Sequence, residues 1–171
     1  ESYFMDIKDI IRQELQVKTS PDPDNESMIK RINSTEAVAV HIRRGDYVSN
    51  SKTNSVHGSA SLEYYTKAAK IMLDATNAPT FFVFSDDHQW VKENLRLPSS
   101  TVYVDHNGPE KNYEDLRLMS LCKHHIIANS TFSWWGAWLA KNENQKVVAP
   151  LKWFNNDADT SDLIPSRWDR I

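Results

Sequence analysis

Four side chains able to do chemistry crowd into the run HIRRGDY: His41, Arg43, Arg44 and Asp46. Adjacent guanidinium groups can fork phosphate oxygens, and a neighbouring carboxylate such as Asp46 can hold an arginine in position. Gly45, between them, permits a strained or left-handed turn. A second polar group, Ser85-Asp86-Asp87, and a third, Asn129, Ser130, Thr131 and Ser133, recur further along the chain. The third is a hydroxyl-rich turn ahead of a helix, where free amides and the positive end of the helix dipole favour a phosphate. With Arg43 or Arg44 opposite, the two features make a diphosphate site that needs no glycines. Such a grip matters most when the diphosphate is a leaving group whose charge grows in the transition state, and that points to a sugar-nucleotide transferase. Plainer readings exist for each part. Paired arginines can be a solvated loop, Arg-Gly-Asp can be an adhesion tip, and Ser and Thr before a helix can be ordinary N-caps.

The elements around these residues decide between the readings. Ala37 to Ile42 is a continuous apolar, β-branched-rich run, the form of a strand buried on both faces of a parallel sheet. Such a strand fixes the arginine turn against the sheet edge and makes it a poor flexible tip. Further strands are predicted over 80–84, 101–104, 125–128 and 146–149. Helices are predicted over 62–75, capped by Ser61, and over 89–95, 112–123 and 133–140. The regular alternation implies right-handed crossovers and an α/β fold, a doubly wound, mostly parallel sheet of about five strands. All three polar clusters then fall at carboxyl ends of strands, on one edge of the sheet. An amphipathic helix over 3–17, with Phe4, Ile7, Ile10, Ile11 and Leu15 on one face, and a short helix over 26–32 precede the first strand. Residues 19–25 and 49–61 read as loops. The whole is one domain, with a helical lead-in over 1–36, a core over 37–150 and an ordered, aromatic-rich wrap over 151–171.

Composition narrows the partners. At 171 residues and a net charge of −3, the chain can bury a sizeable core but offers no general basic surface for nucleic acid. No apolar run reaches membrane-spanning length and no signal-like core opens the chain. A cytoplasmic protein, peripheral to a membrane at most, is the simplest expectation. The single cysteine, Cys122, forms no intrachain disulfide and leaves no thiolate cluster for a metal. Four glycines, with neither G-x-G-x-x-G nor a P-loop lysine, disfavour the usual dinucleotide and ATP sites. Sequons at Asn25, Asn33 and Asn129 are read as chance. His124 and His125 are adjacent and enter a strand, so they face opposite ways and suit a core or edge role over ligation. Trp134, Trp135 and Trp138 read as helix packing, with a sugar-stacking surface as the alternative.

The segments HIRRGDY, FVFSDDHQWVKENL (Phe82 to Leu95) and DLRLMSLCKHHIIANSTFSWWGAWL (Asp115 to Leu139) resemble the ordered motifs of glycosyltransferase family 11, the α-1,2-fucosyltransferases. The Ser-Thr-Phe-Ser-Trp-Trp form resembles microbial members more than vertebrate ones, and the ending IPSRWDRI is similar to the family's carboxyl terminus. The resemblance implies a GT-B enzyme moving fucose from GDP-fucose to the 2-hydroxyl of a galactose, with inversion and without an obligatory metal or other cofactor. It also implies that Arg43 binds the β-phosphate and assists departure of GDP, with Asp46 beside it in the catalytic pair and His41 and Arg44 in support. Asp115 falls near guanine, the turn from Asn129 to Ser133 on the phosphate side, and Asp86 and Asp87 where they orient the arginines. Family members carry a separate N-terminal Rossmann half that is not visible after Glu1, so the expectation is a donor-binding half that binds GDP weakly and transfers poorly alone. A non-catalytic GDP-sugar-binding module and a structural α/β interaction domain remain the alternatives.

Overall fold

The computed structural model describes every residue except Asp157, and the side chains of Asp46, Ser49, Ser51, Lys52 and Thr53 lie outside the description. A 3₁₀ segment, Ser2–Ile7, leads into α1, Lys8–Glu14. The continuous helix expected over 3–17 is corrected: Phe4 leaves helical geometry (φ −138°, ψ 16°). Phe4 instead inserts among the rings of Trp134, Trp135 and Trp138 at 5.3–6.1 Å. Packing one aromatic outweighs the continuity of a short, marginal helix. Ile11 packs beside it, whereas Ile7, Ile10 and Leu15 stay exposed.

The segment read as a loop over 19–25 begins a helix, α2, Pro23–Asn33. Asp22 is its N-cap, accepting from the Asn25 amide at 3.0 Å, and Pro23 opens it, a place where proline costs no hydrogen bond. β1, Ala37–Ile42, is buried throughout. After it the expected loop over 49–61 is largely helical: α3 is Gly45–Ser49 and α4 is Ser51–His57. No apolar stripe marks α4, because backbone bonds hold it: Asn155 donates to the carbonyls of Asn54 and Val56 at 2.8 Å. α5, Leu62–Ala75, is capped by Ser61 and buries Tyr64, Tyr65, Ala68, Ala69 and Met72, leaving Leu62 and Leu73 at the margin.

β2 is Thr80–Ser85, α6 His88–Asn94 and β3 Thr101–Tyr103. A 3₁₀ turn, Pro109–Lys111, precedes α7, Asn112–Leu121. β4 is His124–Ile126, α8 Thr131–Leu139 and β5 Val147–Ala149. A sixth strand, β6, Asp169–Arg170, extends the five expected; two exposed polar residues carry no strand pattern, and they pair with Val148 and Ala149. Every pairing is parallel, in the order β3-β2-β1-β4-β5-β6.

That order is doubly wound about β1. The chain runs outward through β2 and β3, then returns to add β4 on the other side, so the crevice between β1 and β4 is the topological switch point. One layer packs α5 and α6 on Val38, Val40, Phe81 and Val83, and the other packs α2 and α7 on Ala37, Ala39, Phe82 and Phe84. The tail covers α8 through Trp153, Ile164 and Trp168. Among the described residues no helix is long and apolar enough to cross a membrane.

Candidate active site

A cleft of about 660 Å³ opens along the carboxyl edge of the sheet, over the switch point. Its centre is set where β1 ends. Ile42 pairs with Ser85, so Arg43 and Arg44 emerge beside Asp86 and Asp87 of the next strand. Asp86 takes hold of both arginines. Its Oδ1 accepts the Arg44 backbone amide at 2.8 Å, and its Oδ2 pairs with Arg43 Nη1 at 3.0 Å. Gly45 makes this approach possible: a Cβ there would fall 2.6 Å from Asp86 Oδ2.

The two guanidinium groups then part. Arg43 lines the cleft above the Tyr47 ring, 5.6 Å from its centroid, with 35% of its side chain exposed. Arg44 turns away to stack on Trp90 at 3.4 Å, and its Nε donates to Asp87 Oδ2 at 3.3 Å. Asp87 also caps α6 through the Trp90 amide. Arg44 and Asp87 therefore buttress the site, while Arg43 and Asp86 face it. The expectation for Asp46 falls on a side chain outside the described residues.

Across the cleft, Asn129 and Ser130 lead into α8. Ser130 is extended (φ −138°, ψ 132°) and its hydroxyl makes no cap bond, so the ordinary N-cap reading fails there and the first amides of α8 are left to another acceptor. Ser130, Thr131 and Phe132 line the same cleft as Arg43. Ser133 does not: its buried hydroxyl donates to the carbonyls of Ala128 and Ser130 at 3.2 and 3.1 Å and braces the turn. Asn129 is a hub. Its amide donates to the carbonyls of His57, Gly58 and Trp153 at 2.7–3.2 Å, and its own carbonyl accepts from the Tyr47 hydroxyl at 3.1 Å.

Below the centre, His41 is buried against Phe132, ring centroids 5.5 Å apart, with Nδ1 unpartnered. Burial pushes its pKa down to about 4, so the imidazole is neutral at neutral pH. At one end of the cleft stands Asp115, which burial pushes up to about 6 against the opposing hydrogen bond from Asn107 at 2.8 Å. Asn107 is itself held by Asn25, fully buried and bonded also to Asp22 and His106. At the other end are Tyr47, His57, Trp153 and Phe154.

That second end was not legible as a site. His57 lies in a segment whose sequence has neither helical nor strand period, and Trp153 and Phe154 carry a packing pattern alone. The one available signal was His57-Gly58, since Gly58 at φ +61° ends α4 as a left-handed glycine can. Trp134 and Trp138 are buried and Trp135 packs on Phe4, so this triplet is helix packing. His124 and His125 bond in opposite directions, to Glu36 and to the Met119 carbonyl, as strand alternation requires. Asn25 and Asn129 are too buried for a folded chain to be glycosylated there.

The family model described as glycosyl transferase family 11 matches residues 1–168. An α-1,2-colitosyltransferase of Escherichia coli is 38% identical over 176 residues, which cover 100% of this chain and 59% of that protein. The O-antigen biosynthesis glycosyltransferase WbnK of Escherichia coli is 38% identical over 135 residues, 79% of this chain and 44% of that protein. A galactoside α-(1,2)-fucosyltransferase 1 of Saimiri boliviensis boliviensis is 26% identical over 190 residues, 96% of this chain and 52% of that protein. The chain thus spans about half the length of these relatives.

Proposed function

Because the chain belongs to glycosyltransferase family 11, we propose that its cleft holds GDP-fucose and that the protein transfers fucose, with inversion, to the 2-hydroxyl of a galactose-containing glycan. The observation that carries this reading is the presence of Arg43 and the uncapped start of α8 on one cleft at the switch point. As the acceptor oxygen bonds to the anomeric carbon, the bond to the diphosphate breaks and negative charge collects on the β-phosphate. A guanidinium already oriented by Asp86 and the uncapped start of α8 meet that charge without reorganising. Asp46 is retained in the proposal as a support of Arg43. Asp115, in its buried hydrogen-bonded seat, takes the nucleobase end.

The grip is cationic and amide-based, so the proposed reaction runs without an obligatory metal; saturating EDTA is expected to leave the initial rate unchanged, and a rate restored only by added Mg²⁺ or Mn²⁺ would refute that part. Calorimetric titration with GDP tests the cleft itself. The expected result is one site, weakened roughly 10- to 100-fold by Arg43→Lys, because a point charge cannot reproduce a charge-assisted fork. Unchanged affinity would remove Arg43 from this role. The relative named as an α-1,2-colitosyltransferase, aligned over the whole chain, favours a second reading in which the donor sugar is colitose. Competition between GDP-fucose and GDP-colitose at equal concentration separates the two.

A further inference from the structure

We propose that the imidazole of His57 is the proton acceptor for the attacking acceptor hydroxyl, an assignment that rests on the transferase reading above. The sheet order fixes the direction of the cleft. Asn107 and Asp115 follow β3 and flank one end, Arg43 and Ser130 follow β1 and β4 at the centre, and Trp153 and Phe154 follow β5 at the other end. With a diphosphate at the centre and its nucleoside toward Asp115, the sugar and the incoming acceptor lie toward Tyr47, His57 and Phe154. Ring faces there suit the apolar face of a sugar. His57 stacks on Tyr47 at 5.0 Å with 15° between the planes, and touches Phe154 at 5.4 Å. Arg43 lies over the same Tyr47 ring. A cation for the leaving group and a ring nitrogen for the nucleophile are therefore one shared ring apart.

Among the described residues, the other titratable groups in the cleft are placed less well. Asp86 is engaged by Arg43 and the Arg44 amide, Asp115 is at the far end, His41 is buried beneath the floor, and His88 stands on the β2 side. His57 has a buried Nδ1 without a hydrogen-bond partner, in a ring packed against Tyr47 and Phe154, and its backbone is tied to the phosphate-side turn by Asn129. The step balances. The acceptor O–H bond breaks and its proton passes to a ring nitrogen of His57, the oxygen bonds to the anomeric carbon, and the electron pair of the broken glycosyl bond leaves with GDP.

A packing ring would account for the same stack, so the test keeps the ring and removes the base. In His57→Phe, kcat with GDP-fucose and a galactoside is expected to fall about 10²- to 10⁴-fold while GDP affinity stays within about twofold of the parent. In His57→Ala, added imidazole is expected to restore part of the rate in proportion to its neutral fraction as pH is varied, a dependence that cavity filling by a packing ring would not show. Transfer by His57→Phe within about threefold of the parent would overturn the assignment. A parent protein that fails to bind GDP would instead strike down the reading of the cleft on which the assignment stands.

Discussion

Arg43 and Arg44 are neighbours that differ in everything but type, and each gives its own expectation. Arg44→Lys loses the stack on Trp90 and the bond to Asp87, so thermal denaturation should show about 1–2 kcal/mol less stability, with GDP affinity barely changed. Loss of GDP binding equal to that of Arg43→Lys would show that the two do not divide the work. Asp115 carries a charge cost. Its folded-state pKa is raised to about 6 by burial, so its neutral form is favoured in the fold and stability falls as pH rises from about 4 to 6. Asp115→Asn keeps an oxygen for Asn107 and removes that cost, up to about 3 kcal/mol. Urea denaturation across that interval should be flatter for the variant, and an unchanged slope would contradict the buried, raised carboxyl. Pattern without the family resemblance presents Arg43 and Arg44 as equals, because what separates them is Trp90, which stands on α6 beyond the neighbouring strand β2.

Among the elements, those with their own internal signal were legible and those held by distant groups were not. β1 and β2 announce themselves as unbroken apolar runs, and Ser61 and Asp22 show how differently a cap can read: the first precedes an apolar stripe, the second hides in Pro-Asp-Pro-Asp. α4 lacks a stripe because Asn155 and Asn129 hold it through backbone carbonyls, and β6 is two polar residues whose partner is set by the tail's path. The convergence of three polar clusters on one edge was legible because parallel strands share it; the His57 end was not, since it needs the wrap and α4 to meet. Asn129 makes them meet. Asn129→Ala leaves the buried carbonyl of Trp153 and the half-buried carbonyls of His57 and Gly58 without this donor, and should cost about 1.5–3 kcal/mol in chemical denaturation. A loss below about 1 kcal/mol would show that the hub is not what joins these segments.

At the scale of the molecule, two of the three buried histidines on the sheet, His41 and His125, contribute to its response to acid. Burial lowers both His41 and His125 to about 4, below the ordinary value of 6.5, so their contribution is present above 6.5 and is lost as pH falls toward 4. Acid unfolding concentrated in that interval is the expected result in a pH titration followed by circular dichroism. The molecule also offers a rival seat for an anion: a second cavity of about 550 Å³, lined by Arg12, Arg117, Lys123 and Lys141 together with apolar side chains of α7 and of the segment that follows α1, far from the carboxyl edge of the sheet. Net cationic character alone would favour it, whereas the switch-point topology and the oriented Arg43 favour the other. A crystal structure with GDP bound decides between them. The expected density places the β-phosphate within hydrogen-bonding distance of Arg43 and the first amides of α8, with the guanine toward Asp115; a diphosphate seated in the second cavity, or touching neither Arg43 nor α8, would contradict the central claim.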